Sequence, residues 1–193
     1  LKLVSIKDTN ATVQVLTDDK SYLGVEISGL TADLIGLESV LEFHAGGVTV
    51  KVNKATDADN DINTIPAKLD WDSLTTSGLP LASLAIDSAL DLHASGNVAL
   101  NALSGVLVAK GGFGLDLGQV STSAASNGVS FTNASAVSVT LTNASVFVGT
   151  GGSLTDATST ANVTNGTLGF AGSVSSLKLV SIKDTNATVQ VLT

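Results

Sequence analysis

The sequence predicts an all-β fold, an elongated tandem-repeat architecture built from long, bulged, curved and mostly antiparallel strands. Three observations predict it. Apolar residues alternate at period two through six long segments, the pattern of strands that bury one face. At three places the spacing stretches once from two to three, beside Gly, Asn or Ser, which a β-bulge absorbs. Finally, the 17 residues Leu1 to Thr17 (LKLVSIKDTNATVQVLT) return letter for letter as Leu177 to Thr193, an offset of 176 residues.

The six segments fall into sister pairs: Val25 to Leu34 with Leu41 to Val52, Leu90 to Leu100 with Val106 to Leu117, and Val137 to Val148 with Leu168 to Leu179. In the first, Val25 and Ile27 share one face of a strand while Glu26 and Ser28 share the other. The spacing of three runs from Ile27 to Leu30, from Ala45 to Val48 and from Leu141 to Ala144. Without an extra residue looped out, each would turn the apolar set onto the wrong face. The connectors Leu37 to Val40 and Leu103 to Val106 are short enough for tight antiparallel hairpins. Counted from those connectors, Gly29 falls opposite Gly47 and Gly96 opposite Gly112, so each hairpin is expected to kink in both strands together and curve as one sheet. The near-equal halves also admit a right-handed β-solenoid, with the same glycines stacked at the corners of successive coils. A helical alternative exists over Leu30 to Gly47, where Leu30, Leu34, Leu37 and Leu41 recur at helical spacing, Thr31 offers a cap and Gly46-Gly47 a stop. Its counterpart Ser145 to Ser153 is too rich in β-branched residues and Gly for a helix, so the strand assignment is kept.

Fixed-period self-similarity marks repeat architectures whose units cannot bury their apolar faces alone. Residues 1–17 therefore read as the end of a preceding repeat copy, and residues 18–193 as one 176-residue unit with three internal sub-repeats at about 22–84, 85–135 and 136–193. A chain without Met that starts inside the pattern fits excision from a longer array. Between the segments, Asp8 to Ser21, Lys54 to Lys68, Ser121 to Ser135 and Thr150 to Thr167 are rich in Asp, Asn, Ser, Thr and Gly and read as surface loops.

Composition narrows the function classes. Of the 193 residues 44% are hydrophobic but only 4% aromatic, which suits thin β-layers better than a thick core. All nine basic residues are Lys and the net charge is −8, so the clustered positive charge that phosphate binding requires is missing, and nucleic acid is not an expected partner. The absence of Cys removes disulfides, thiolate metal sites and cysteine nucleophiles. No uninterrupted apolar run is long enough for a membrane-spanning helix.

One constellation suggests a ligand. Asp57, Asp59, Asp61 and Asn63 place alternate oxygen donors in a loop, the chemistry that suits Ca²⁺. An EF-hand would need Gly where Ile62 stands and a bidentate Glu where Lys68 stands, so the alternative is an acidic solubilising loop. His44 and His93 share a His-Ala context before small residues and read as one repeated structural position. No Gly-x-Ser-x-Gly elbow accompanies a base, and a three-way repeated scaffold offers no unique pocket, so no catalytic residues and no enzyme activity are expected. The glycine-rich pieces Gly111 to Gly114 and Gly149 to Gly152 lack the Gly-Lys-Ser/Thr of a phosphate loop. Sequons at Asn10, Asn133, Asn143, Asn162, Asn165 and Asn186 point to exposed loops.

The bulged alternating segments Ala89 to Leu100 and Gly105 to Gly118, with the 176-residue period, resemble the repeat regions of giant bacterial surface proteins of the adhesin-like or haemagglutinin-like class. The resemblance implies an extended, secreted or surface-anchored structural role and brings no catalytic residues. The resulting expectation is a structural module of a long extracellular filament or adhesin stalk, partnered by neighbouring identical repeats through end-to-end or lateral self-association. The alternative is a binding module that holds glycan or lipid on a curved sheet face.

Overall fold

The computed structural model describes residues 1–9, 19–37, 39–57, 66–125 and 127–184. Within them lie β1 (Lys2–Asp8), β2 (Lys20–Asp33), β3 (Leu41–Asp57), β4 (Leu90–Ala102), β5 (Leu107–Val120), β6 (Ala134–Thr150), β7 (Ser153–Leu154), β8 (Val163–Thr164) and β9 (Leu168–Lys183). Seven of them form one sheet in the order β1-β2-β3-β4-β5-β6-β9, and β7 pairs with β8 in a small second sheet. Every ladder is antiparallel. Coils stacked in a solenoid pair in parallel, so the chain takes the hairpin alternative, and the three sister pairs become the β2–β3, β4–β5 and β6–β9 hairpins. The described residues contain no helix, and Leu30 to Gly47 enters β2, a turn and β3.

All three spacings of three coincide with a break in register. The β2–β3 ladder slips between Ile27 and Leu30, where Gly29 has φ +68°, and β3 slips against β4 between Gly46 and Thr49, where Gly47 has φ +61°. The β5–β6 ladder slips between Lys110 and Gly112, opposite Asn143 at φ 48°. Each extra residue restores the apolar set to its original face. The coincident kinks expected in β4 and β5 are not formed: that ladder runs unbroken from Leu92 to Ala102, with Gly96 opposite Phe113 and Gly112 opposite Asn97. Both strands alternate strictly at period two there, so no residue has to be absorbed. Their glycines instead make room for neighbours, since a Cβ on Gly112 would strike the Thr142 side chain and one on Gly96 would come within 2.8 Å of Val48.

The turn between β4 and β5 is tight, with Leu103, Ser104 and Gly105 all at positive φ. The β2–β3 turn is wider, running from Leu34, whose N–H donates to Phe43 O at 3.1 Å, to Leu41, whose N–H donates to Leu37 O at 2.7 Å. The loops expected at Asp8 to Ser21, Lys54 to Lys68, Ser121 to Ser135 and Thr150 to Thr167 are trimmed at their ends. Lys20 and Ser21 open β2, Lys54 to Asp57 complete β3, Ala134 and Ser135 open β6, and the last stretch carries β7 and β8. Ladder bonding in these residues outweighs their polar composition.

Burial is concentrated on one face. Trp71, Leu84 and Ile86, from a strap over residues 66–89, pack on Val4 of β1 with Ile6 and Tyr22 alongside. Trp71 Nε1 donates to Asn53 Oδ1 at 2.9 Å, and Asn53 Nδ2 donates to Leu69 O and Asp87 O at 2.9 and 2.8 Å, so one buried amide ties both ends of the strap to β3. Lys68 Nζ donates to Ala89 O and Leu90 O, both at 3.0 Å, closing the strap on itself. Gly24 lies beneath it, where a Cβ would meet Leu84 Cδ1 at 2.5 Å and Trp71 at 2.8 Å. Farther across the same face the β7–β8 lobe covers Val108 and Phe147, and Lys110 Nζ donates to Asn162 Oδ1 at 2.5 Å.

Candidate functional site

Pleating divides the sheet into two chemically opposite faces. The face under the strap and lobe carries a row of polar residues across the strands in register: Lys2, Glu26, Lys51, His93, Asp116 and Ser138. Lys2, Glu26 and Lys51 alternate in sign, as favourable cross-strand pairs require. Lys2 Nζ lies 3.5 Å from Glu26, Lys51 Nζ donates to Ala85 O at 2.7 Å, and His93 Nδ1 lies 2.6 Å from Asp116. Glu26 also accepts from the Ala85 N–H at 3.3 Å, and that bond, with Lys2 beside it, holds its carboxyl below the usual range.

The opposite face is apolar from edge to edge. One row reads Leu3, Val25, Val52, Leu92, Leu117 and Val137, and the next reads Ile27, Val50, Ala94, Leu115, Val139 and Leu179. None of these twelve side chains is fully buried, and Phe170 on the same face is 72% exposed. A shallow groove of about 460 Å³ runs over it between Val98, Phe113, Leu141, Val146 and Val174. This partly exposed apolar face is the candidate interaction surface of the sheet.

The third feature is the pair of sheet edges. The duplicated residues occupy both: Lys2–Asp8 forms β1 at one edge, and Lys178 to Lys183, the copy of Lys2 to Lys7, ends β9 at the other. Both copies present the same faces, with Val4 and Ile6 on the strap side like Val180 and Ile182, which pair with Ser138 and Ala136. Their surroundings differ. Val4 is 5% exposed under the strap, whereas Val180 is 61% exposed. A second groove, of about 220 Å³, ends at Val180 and Ile182, with Leu90 and Ala136 in its walls.

His44 and His93 both stand opposite an aspartate of the neighbouring strand, Asp33 at 2.8 Å and Asp116 at 2.6 Å. His44 is the more buried and also lies 3.1 Å from Glu42, and its pKa is raised, first by Asp33 and then by Glu42. The two rings lie on non-equivalent parts of the sheet, His44 opposite Ala99 and His93 opposite Lys51. Of the calcium candidates, Asp57 is buried at the end of β3 opposite Lys20, while Asp59, Asp61 and Asn63 lie outside the described residues, as do the sequons at Asn10 and Asn186. Among the described residues no three His, Cys, Asp or Glu side chains gather as a metal site, and no helix is long and apolar enough to cross a membrane.

The strap was not visible to pattern reading, because residues 66–89 alternate at neither strand nor helix period. The signal was compositional: the sole Trp, both Pro and the pair Leu84 and Ile86 fall within it. Comparison with protein-family models, curated proteins and solved structures finds no match.

Proposed function

We propose that the chain is a structural repeat module of a long extracellular filament or adhesin stalk, in which successive copies extend one β-sheet. The observation that carries this reading is the placing of identical residues, with identical facing, at the two opposite edges of the sheet. An unpaired edge is a template for a further strand, and a covalent array supplies that strand in a defined register. Each period contributes six strands, so the array grows by about 28–29 Å per copy at the usual strand spacing. Strand twist of roughly 20–25° per step turns the sheet into a coiled ribbon. The role is mechanical and assigns no chemistry to any residue. The net charge of −8 keeps such a surface soluble.

Lateral association fits the apolar face. Six strands by about ten residues present roughly 1,000 Å² per copy, more than the ~800 Å² that each partner buries in a standard interface. Two ribbons packed face to face at about 10 Å would close it as a sandwich. Electron microscopy of chains carrying two and four periods tests the proposal: lengths rising in proportion to copy number support it, and compact particles overturn it.

A second reading, a module that binds an apolar ligand, is favoured by the groove beside Phe113 and Leu141. Its lining offers almost no polar anchors, which suits an acyl chain better than a glycan. Titration with a fluorescent fatty acid tests it. Saturable binding lost in Leu141→Asp supports the reading, and binding unchanged by that substitution removes it.

A further inference from the structure

We infer that the second half of β9 is a docking strand for the following copy of this chain, whose strap closes over Val180 and Ile182 to complete a core shared between two repeats. The inference rests on the repeat-array reading and gives it a specific junction.

The template is the β1–β2 edge. There Lys2 pairs with Glu26, Val4 with Gly24, Ile6 with Tyr22 and Asp8 with Lys20. Carried over by one period, Lys178 meets Glu26 of the following copy, Val180 meets Gly24 and Ile182 meets Tyr22. Each side chain then finds the partner that its duplicate already has. Val180 takes the place beside Trp71 and Leu84 that Val4 holds in the first copy, where the strap lies close over Gly24 because that residue has no Cβ. Lys178 gains the Glu26 carboxylate and the Ser83 carbonyl that Lys2 reaches at 3.5 and 3.0 Å. Lys183 gains the buried Asp19 that Lys7 reaches at 3.2 Å. In the present chain Lys178 and Lys183 form no ion pair with any described residue.

Two further observations were not built into that superposition. First, β2 is 14 residues long, yet β1 covers only Lys20 to Glu26, so among the described residues no strand pairs with the outer side of Ile27 to Asp33. The first half of β9, Leu168 to Leu177, lies directly upstream of the duplicated residues. Extending the same register backwards lays it along this vacant stretch: Leu177 opposite Ile27, Ser175 opposite Gly29, Val174 opposite Leu30. Gly29 is the bulge residue of β2. Ser175 is the residue at which β9 changes facing in step with Asn143, between Thr142 and Ala144 of β6. The kinks therefore meet, and Val174 and Leu30 stay together on the apolar face. Second, the groove reaches Val180 and Ile182, both exposed on the face that carries the strap over β1. A strand in mid-sheet bonds on both sides through alternate residues, so pairing with β6 leaves the outer set of β9 amides and carbonyls free for β2 of the next copy.

The test compares one substitution in two chains. In the 193-residue chain Val4→Asp places a carboxylate under the strap and should lower the melting temperature by on the order of 10 °C, with a red shift of Trp71 emission, whereas Val180→Asp should shift it by under about 2 °C. In a chain extended by one full period, with Trp71→Phe in the first strap, the Trp of the second strap is the only reporter. Val180→Asp should now red-shift that Trp and lower its transition as Val4→Asp did, and Val180→Ala should do so more weakly. A second-strap Trp indifferent to both Val180 substitutions overturns the junction. Particle length is read on the same extended chain: an elongated particle with an indifferent Trp leaves the filament and removes the junction, and a compact particle with a responsive Trp does the reverse.

Discussion

The same residues, Lys-Leu-Val-Ser-Ile-Lys, form β1 and the end of β9, and they live in different worlds. Val4 is buried beneath Trp71 and Val180 is exposed; Lys2 and Lys7 hold carboxylates and their duplicates hold none among the described residues. Local sequence and backbone are common to both, so the difference comes from neighbours alone. It teaches that the duplicated segment does not carry its own cover: the strap that buries Val4 lies more than sixty residues downstream, so the burial of the segment depends on the chain that follows it.

The largest expected effect comes from making β1 resemble its duplicate. Trp71→Ala removes the cover over Val4 and should cost about 3–5 kcal/mol, read as a melting temperature lower by roughly 10 °C, while exchange at Val180 stays unchanged. Gly24→Ala should cost about 1–3 kcal/mol in a denaturant titration, because the new methyl meets Leu84 and Trp71 at distances no Cβ tolerates. An unchanged midpoint would show the strap to be looser than its contacts imply. Lys7→Ala, which strips the partner from the buried Asp19, should cost about 1 kcal/mol, its own ammonium being largely solvated, and Lys183→Ala should cost nothing measurable in the same assay.

The smallest effects are those of pH. His44 has its pKa raised by Asp33 and Glu42, so its contribution is complete below the unfolded value near 6.5 and is lost as pH rises through the folded value. Melting temperature should therefore fall modestly between pH 6 and pH 8, and His44→Gln should flatten that slope. Glu26 behaves in the opposite sense. Its lowered pKa gives a contribution that is present above about 4.5 and lost as pH falls through the folded value, so Glu26→Gln should soften the acid limb of the stability curve.

Much of the fold was legible in the sequence because a pleated strand has a period of two and a bulge costs one residue. The steps from Ile27 to Leu30, from Ala45 to Val48 and from Leu141 to Ala144 each located a register break. Gly96 and Gly112 misled for a physical reason: glycine marks either a kink or a close approach, and only the spacing of the flanking apolar residues tells them apart. The strap escaped because its packing is tertiary, with Trp71 and Leu84 brought onto β1 and β2 by no local periodicity. The apolar face was legible as a set of residues, but its openness depends on what lies above it, and that is a property of the assembled sheet.

The claim on which the account turns is that β1 and the end of β9 are the same strand, each seen beside one of its two neighbours, β2 for the first and β6 for the second. Amide hydrogen exchange over Leu177 to Lys183 measures this directly, in the 193-residue chain and in a chain extended by one period. Alternate amides that exchange freely in the shorter chain should gain protection in the longer one, up to the level of the β1–β2 ladder. Unchanged exchange of those outward amides after the extension would contradict the account.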